Sequence, residues 1–141
     1  DNELNLEQYY LPLISDKYIE YLINVSKLKL DTGDYSIKGI EKYAVIERKT
    51  LTDLAGCVFK PRFSDCINRL LEFPYKAIVV EAQYSDILAH NYESRVDIGR
   101  FITWINGLGA RGLPVHFAGD RQTAMEITLV LLVSWYNKIN G

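Results

Sequence analysis

The sequence lacks the features of membrane and secreted proteins. No apolar run approaches the ~18 residues that a membrane-spanning helix needs. Its start, DNELNLEQYY, has neither the basic region nor the apolar region of a signal peptide. We therefore expect an intracellular protein, in the cytoplasm or the nucleus.

Cysteine is also scarce, with 2 residues in a chain of 141. Cys57 and Cys66 belong to no CxxC pair and accompany no paired histidine motif. This pattern predicts neither a zinc site nor a disulfide framework. We expect both thiols to fill space in the core.

No repeat, low-complexity tract or Pro/Gly/Ser-rich linker divides the sequence, so we expect a single domain over 1–141. The chain is 48% hydrophobic and 24% charged, close to the average for globular proteins. A domain of this size can bury a core without disulfide or metal staples.

Net positive charge is lacking as well, since the formal net charge is −2. Its distribution is uneven, because 38–76 carries eight cations and five anions, whereas 1–37 carries three and seven. The remaining segment, 77–141, has five cations and six anions. Only the middle segment is basic, and this is where contacts with an anionic partner are expected.

The pattern of apolar residues predicts alternating helices and strands. Expected helices cover about Leu6–Leu22, Thr50–Leu54 with Thr50 as N-cap, Arg62–Glu72, a short segment at Ser85 and Asp86, Asp97–Leu108, and Asp120–Asn137. Expected strands cover Lys27–Leu30, a hairpin strand starting at Asp34, 43–49, Ala77–Val80 and Leu113–Phe117. This order predicts an α/β fold with a mixed central sheet flanked by helices.

Asp34, Glu47 and Lys49 form the most informative pattern. Glu47 and Lys49 should share one face of their strand, with Arg48 on the other. Asp34 could meet Glu47 from the neighbouring strand, and two such carboxylates favour a bound proton, a cation or a divalent metal. The pattern fits metal-dependent phosphodiester hydrolysis. The competing interpretation is a solvated salt bridge at a strand end.

The longer pattern GD…ERKxxxD resembles the signature of the XPF-type nuclease domain of excision repair, in the PD-(D/E)xK superfamily. The flanking stretches LDTGDYSI, YAVIERKTLTDLAG, RFSDCINRLLEF and KAIVVEA agree with it, and weaker similarity extends to about residue 130. The resemblance implies a restriction-endonuclease-like fold. It also implies a Mg²⁺- or Mn²⁺-dependent endonuclease acting on branched, flapped or nicked DNA in repair or recombination.

Carried over to this sequence, the resemblance implies that Asp34, Glu47 and the Arg48 carbonyl are metal ligands. It implies that Lys49 is the catalytic lysine and that Asp53 is a supporting carboxylate. The Arg48 side chain would brace the site or bind phosphate.

The chain departs from the family pattern at both ends. Relatives usually begin with an apolar strand ending in Asp-x-Arg-Glu, but nothing apolar precedes Asp1. We therefore expect that strand to be missing or degraded, which would leave the site short of a carboxylate. The tandem helix-hairpin-helix modules of eukaryotic relatives are not found before Gly141. DNA binding would then use the nuclease surface, a partner or a second copy.

Other residues have two interpretations each. Lys60, Arg62 and Arg69 are candidate DNA phosphate contacts or a solvated helix face. Glu81 is a structural or a metal-proximal carboxylate, and the structural role is favoured. His116 is a core histidine or a ligand or base, and the core position is favoured. The last helix is apolar nearly all round, which favours pairing with a homodimeric or heterodimeric partner over burial within the domain.

Three functions remain open from the sequence. The favoured one is the metal-dependent endonuclease. The second is a non-catalytic subunit that binds DNA or dimerises while a partner cuts. The third is a site-specific restriction-type enzyme of similar fold.

Overall fold

The computed structural model describes residues 4–10, 20–26 and 30–141, the first two ranges by their backbone alone. The described strands are β1 (Leu4–Tyr10), β2 (Glu20–Ser26), β3 (Ala44–Lys49), β4 (Tyr75–Val80) and β5 (Val115–Phe117). The described helices are α1 (Leu51–Cys57), α2 (Pro61–Leu71), α3 (Tyr84–Leu88), α4 (Ile98–Ala110) and α5 (Arg121–Asn140).

The N-terminal segment contains an antiparallel pair of strands, so the helix predicted over Leu6–Leu22 is wrong at 6–10 and 20–22, while 11–19 lie outside the described residues. β1 pairs antiparallel with β2, from Leu4 opposite Ser26 to Tyr10 opposite Glu20. Pro12 stands inside the predicted helix, where its missing N–H and its ring oppose helical hydrogen bonding. In β2, Tyr21, Ile23 and Val25 recur with a period of two and are residue types that favour strands. The predicted strand at Lys27–Leu30 lies outside the described residues except for Leu30, which is not in a strand.

The central sheet has the order β3-β4-β5, and both of its strand pairs are parallel. β4 lies in the middle, and its residues from Ala77 to Val80 are fully buried, as the continuous apolar run predicts. An isolated antiparallel bridge joins Tyr35 to Ile46 of β3. The hairpin strand predicted to start at Asp34 is reduced to this bridge. The α/β class with a mixed arrangement is thus confirmed.

Two apolar clusters cover the two faces of this sheet. Val45, Ile78 and Val80 pack with α1, α2 and α4 in the larger cluster. Ile46 and Val79, one position along each strand, pack with α5 in the smaller cluster. Because strand side chains alternate between faces, β3 presents Glu47 and Lys49 towards the larger cluster and Arg48 towards the smaller.

The helix starts follow the sequence closely. Thr50, Asp97 and Asp120 each accept a hydrogen bond from a backbone N–H of the first turn, as N-caps do. Each such cap contributes about 1 kcal/mol to helix stability. The α2 and α5 helices also lie where the periodicity predicts them, and α5 extends slightly further, to Asn140.

The last helix buries one face within the domain. Ala124, Thr128 and Leu132 of α5 are buried, and the helix contacts β3 and β4. The Thr128 hydroxyl donates to the Ala124 carbonyl at 2.7 Å, so its polar group is satisfied inside the helix. Burial within the domain therefore accounts for part of the apolar character, and pairing through the remaining faces stays a prediction. Among the described residues, no helix is both long and apolar enough to cross a membrane.

The cysteines occupy the places predicted for them. Cys57 is buried in the larger cluster, Cys66 is half-buried against it, and both are free thiols. Burial raises the pKa of each thiol above its ordinary value. Both side chains thus behave as apolar filling.

Candidate metal and catalytic site

The backbone of the Gly33–Tyr35 loop is fixed against β3. The Asp34 and Tyr35 N–H groups both donate to the Ile46 carbonyl, at 2.8 and 3.0 Å. Gly33 has a φ of +78°, and a Cβ placed there would lie 2.1 Å from Val45 Cγ2. Only glycine fits this close approach without displacing the strand. The loop therefore delivers Asp34 to the carboxyl end of β3.

Glu47 and Lys49 lie on one face of β3, as their spacing predicts. Lys49 Nζ lies 3.6 Å from Glu47 Oε2, and both side chains are largely buried. The ammonium also lies 5.3 Å from the centre of the Phe63 ring, on α2. The lysine is thus held between a carboxylate and an aromatic ring at the edge of the larger cluster.

Asp34 reaches the same strand end. Its Oδ2 accepts a hydrogen bond of 2.8 Å from the Arg48 N–H, between Glu47 and Lys49 in the chain. Burial is the largest cause that raises the pKa of Glu47 above its ordinary value, and the Asp34 charge raises it further. Lys49 and Arg69 lower that pKa by a smaller amount. Two carboxylates therefore compete for the available positive charge.

The Arg48 side chain is held on the opposite face. Its guanidinium donates from Nη2 to Glu81 Oε2 at 2.5 Å and from Nη1 to the Tyr35 hydroxyl at 3.1 Å. The side chain is only 8% exposed, and its buried Nε has no hydrogen-bond partner among the described residues. The Glu81 N–H donates in turn to the Lys49 carbonyl at 3.0 Å. This geometry favours the structural interpretation of Glu81.

Asp53 lies near the site but is not joined to it. It sits in the first turn of α1, where its N–H donates to Thr50 Oγ1 at 3.1 Å, and its side chain is exposed. Its charge acts on the Cys57 thiol and is not among the causes that shift the pKa of Glu47. Within 30–141, the Asp53 carboxylate takes part in no ion pair.

The three candidate DNA-binding cations are exposed along the start and outer face of α2. Lys60 immediately precedes the helix, and Arg62 lies in its first turn. Arg69, two turns further on, is close enough for its charge to lower the pKa of Glu47. The basic segment seen in the sequence therefore extends from the site along α2.

His116 lies away from this group of residues. It is half-buried on β5 and lines a surface cavity of about 310 Å³ with Tyr75, Leu131 and Trp135. Burial lowers its pKa below the ordinary histidine value, which favours the neutral ring. His116 is thus only partly enclosed, at a surface cavity and not within either apolar cluster, so the predicted core position is not borne out.

The donor atoms suit a hard divalent cation. Within the described part of the chain, no cluster of three or more Asp, Glu, His or Cys side chains could hold a metal. Mg²⁺ needs fewer protein side chains than this, since proteins usually bind it through one or two carboxylates while it keeps several waters. The Asp34 and Glu47 carboxylates and the Arg48 carbonyl are the oxygen atoms that would hold such an ion. Burial and the Asp34 charge both disfavour ionised Glu47, and a cation at this place would offset both effects.

Two contributors were missed by sequence reasoning. Tyr35 braces Arg48 through its hydroxyl and its ring, whose centre lies 5.4 Å from the guanidinium carbon. Phe63 packs against the Lys49 ammonium. Tyr35 could have been found from strand alternation, because it follows Asp34 and must face the side that Arg48 faces. The position of Phe63 depends on helix packing and leaves no such signal.

The chain resembles known proteins in both sequence and fold. The family model of the ERCC4 domain matches residues 3–131. Among curated proteins, none matches the sequence. The structure of XPF from Aeropyrum pernix superposes with a TM-score of 0.61 and 21% identity, over 80% of this chain and 54% of that one.

A second structure, XPF from Aeropyrum pernix in complex with DNA, gives a TM-score of 0.59 and 22% identity, over 77% of this chain and 51% of that one. This chain thus spans about half the length of the structures it matches. At such identities the superpositions establish the XPF nuclease fold, and the family model covers most of the sequence. The chain is therefore a member of the ERCC4 domain family.

Proposed function

We propose that the chain is a divalent-metal-dependent endonuclease domain that hydrolyses DNA phosphodiester bonds at branched, flapped or nicked structures. The observations that support the proposal are the Lys49–Glu47 contact on one face of β3 and the effect of the Asp34 charge on Glu47. Membership of the ERCC4 family supports it.

In this proposal the Asp34 and Glu47 carboxylates and the Arg48 carbonyl hold Mg²⁺ or Mn²⁺. A bound ion of this kind polarises the phosphate and acidifies a water molecule. Asp34 keeps its place through the hydrogen bond from the Arg48 N–H. The ion pair between Arg48 and Glu81 fixes the strand that carries both the carbonyl and Glu47.

Lys49 is proposed to act on the attacking water and on the phosphate. Its ammonium lies 3.6 Å from Glu47 Oε2, so it can orient a water at this edge and offset negative charge that develops on the phosphate. Phe63 covers one side of the ammonium and limits its movement. Asp53 is proposed as a supporting carboxylate at the start of α1.

Lys60, Arg62 and Arg69 are proposed to bind DNA phosphates next to the cleavage site. All three are exposed, and they lie on the α2 side of Glu47 and Lys49. Phosphate contacts of this kind position the substrate without reading its sequence, which suits recognition of DNA structure. The A. pernix XPF structure that was solved in complex with DNA is consistent with a DNA substrate.

A homodimeric or heterodimeric partner is proposed to bind through α5. One face of the helix is used by the domain, while the half-buried Leu129, Val130 and Val133 leave apolar surface on its other faces. Apolar surface of this kind is typical of subunit interfaces.

One observation favours the non-catalytic subunit as a second candidate. The described residues supply two carboxylates at the site and no third acidic, histidine or cysteine ligand. A protein with this site could keep the fold and bind DNA while its partner cuts.

Cleavage of a labelled panel of linear, flap, fork and four-way junction DNAs, with and without Mg²⁺ and Mn²⁺, tests the proposal. We expect metal-dependent cleavage of the branched substrates, its loss in Glu47→Ala, and nearly unchanged DNA binding by that variant. Glu72→Ala is the matched control, because Glu72 is an exposed glutamate at the end of α2.

Binding without cleavage of any substrate, in either metal, would contradict the endonuclease and favour the non-catalytic subunit. Cutting of linear duplex at a fixed sequence would favour the restriction-type alternative.

A further inference from the structure

An aromatic ring stands exposed between α1 and α2. Phe59 is 50% exposed, and the Arg100 guanidinium lies over its ring with the central carbon 4.9 Å from the ring centre. Arg100 comes from the first turn of α4, so the pair joins two separate parts of the chain. A cation–π contact of this kind orders the guanidinium at an exposed site.

Aromatic side chains of α2 and α4 lie near both this pair and Lys49. Phe63 contacts the Lys49 ammonium and packs against Trp104 of α4, with ring centres 5.8 Å apart. Arg100 precedes Trp104 by one helical turn, and Phe59 precedes Phe63 by the same number of residues. Phe59 with Arg100, and Phe63 with Trp104, are thus two contacts between the same two segments of the chain, 59–63 and 100–104.

Positive charge surrounds the exposed ring. Lys60 follows Phe59 directly, Arg62 lies in the first turn of α2, and both are exposed, as is Arg100. A single exposed aromatic residue is ordinary on a protein surface. An aromatic ring capped by a guanidinium and flanked by two further cations has the chemistry that binds unpaired nucleotides. Bases stack on aromatic or guanidinium planes, and cations bind the phosphates beside them.

Paired DNA does not offer this contact, because its base faces are covered by stacking within the duplex. The arrangement thus favours a strand that is single over at least one nucleotide. A protein partner is the competing occupant, but the three cations around the ring favour an anionic chain.

We propose that Phe59 and Arg100 form a stacking site for one unpaired base of the DNA substrate, with Lys60 and Arg62 on the adjoining phosphates. This inference rests on the proposed function for its substrate, and it explains how the domain would distinguish branched from linear DNA. The unpaired nucleotide would lie next to the phosphate presented to Asp34, Glu47 and Lys49.

The test is binding of a fluorescent oligo(dT) and of a hairpin duplex, measured by anisotropy in EDTA so that no cleavage occurs. For Phe59→Ala we expect oligo(dT) affinity to fall by roughly 5- to 100-fold, the usual loss for one stacked base. Duplex affinity should stay within about twofold of the wild type, because phosphate contacts dominate it. Phe59→Trp should bind oligo(dT) as well as the wild type or better.

Tyr43→Ala is the matched control. Tyr43 is 49% exposed, nearly the same as the 50% of Phe59. It directly precedes β3, at the end of the strand opposite to the candidate site. It should bind oligo(dT) as the wild type does. Arg100→Lys keeps the charge but loses the planar group, so it should weaken oligo(dT) binding by a smaller factor than Phe59→Ala does. Circular dichroism and thermal melting check that each variant is folded.

Three results would overturn the stacking site. They are wild-type binding of oligo(dT) by Phe59→Ala, equal losses in Phe59→Ala and Tyr43→Ala, and no oligo(dT) binding by the wild type. A change in sedimentation behaviour with unchanged DNA binding would assign the ring to a protein contact instead.

The cleavage panel separates this inference from the proposed function. If Phe59→Ala binds and cuts like the wild type, the stacking site fails and the nuclease stands. If the wild type cuts no substrate but its oligo(dT) binding depends on Phe59, the nuclease fails and the stacking site stands.

Discussion

The two faces of β3 place neighbouring residues in opposite electrostatic situations. On one face, Glu47 contacts Lys49, and the pKa of Glu47 is raised by burial and then by the Asp34 charge. On the other face, Arg48 has a carboxylate and a hydroxyl as partners. The ionised carboxylate is disfavoured on the first face, whereas the guanidinium is well paired on the second. The strand thus separates a face suited to reaction from a face suited to stability.

Replacing Lys49 should have the largest effect on function. With Lys49→Met the cleavage rate should fall by about 100- to 1000-fold, the usual cost of removing one group that stabilises transition-state charge. Single-turnover cleavage of a flap substrate at saturating protein measures this. Lys76→Met is the control, since Lys76 lies at the opposite end of β4. A rate within threefold of the wild type would remove Lys49 from the chemistry.

Breaking the ion pair on the other face should have the largest effect on stability. Glu81→Ala leaves the Arg48 charge in a site where its side chain is only 8% exposed. The free energy of unfolding should fall by about 2–3 kcal/mol, less than the 3–5 kcal/mol of fully buried pairs, because the Glu81 side chain is 24% exposed. Urea denaturation measures the change.

The double variant Arg48→Met with Glu81→Leu is the control for this experiment. It removes both charges together and should recover part of the loss. Equal stability of Glu81→Ala and the wild type would show that the pair does not hold the strand.

Gly33→Ala tests how the loop is held against the same strand. A Cβ would lie 2.1 Å from Val45 Cγ2, and alanine rarely adopts the φ of +78°. We expect a loss of about 1–3 kcal/mol from overpacking and backbone strain. Gly39→Ala is the matched control, because Gly39 has a φ of +100° but no atom within 4 Å of its added Cβ. Thermal unfolding should show the larger loss for Gly33→Ala, and equal losses would rule out the steric part.

The smallest expected effect concerns the charge on Glu47. The pKa of this carboxyl is raised in the folded state above its ordinary value, so ionised Glu47 costs stability at neutral pH. Glu47→Gln should therefore be more stable than the wild type at pH 7 in EDTA. The difference should shrink as the pH falls, because folded Glu47 takes up its proton at a higher pH than Glu47 of the unfolded chain does.

Mg²⁺ should reverse this order. The ion should raise the melting temperature of the wild type, because it binds the folded state, and should leave Glu47→Gln nearly unchanged. Calorimetric scans with and without Mg²⁺ measure both effects. A variant less stable than the wild type in EDTA would contradict the raised pKa of Glu47.

The sequence predicts the fold well where local signals are strong. The run from Ala77 to Val80 and the caps Thr50 and Asp120 lie where they are predicted, and the helix predicted from Asp97 begins there, because apolar periodicity and capping act over short distances. The predicted N-terminal helix is wrong because the period-two alternation of this segment and Pro12 oppose a helix, although its many Leu, Ile and Tyr residues are compatible with one.

The candidate site was predictable in part for the same reason. Strand alternation alone places Glu47 with Lys49 and separates Arg48 from them. The contacts of Phe59 with Arg100 and of Phe63 with Lys49 depend on how helices pack, over sequence separations that no local pattern encodes. The distance of Asp53 from Glu47 depends likewise on the direction in which α1 leaves the strand.

The bridge between Tyr35 and Ile46 joins the loop that carries Asp34 to the strand that carries Glu47. The backbones that carry Asp34 and Glu47 are therefore joined by hydrogen bonds that pass through no helix. A shift of α2 would reach the Glu47 side chain through the contacts of Phe63 with Lys49 and of Lys49 with Glu47, and would leave this backbone link in place.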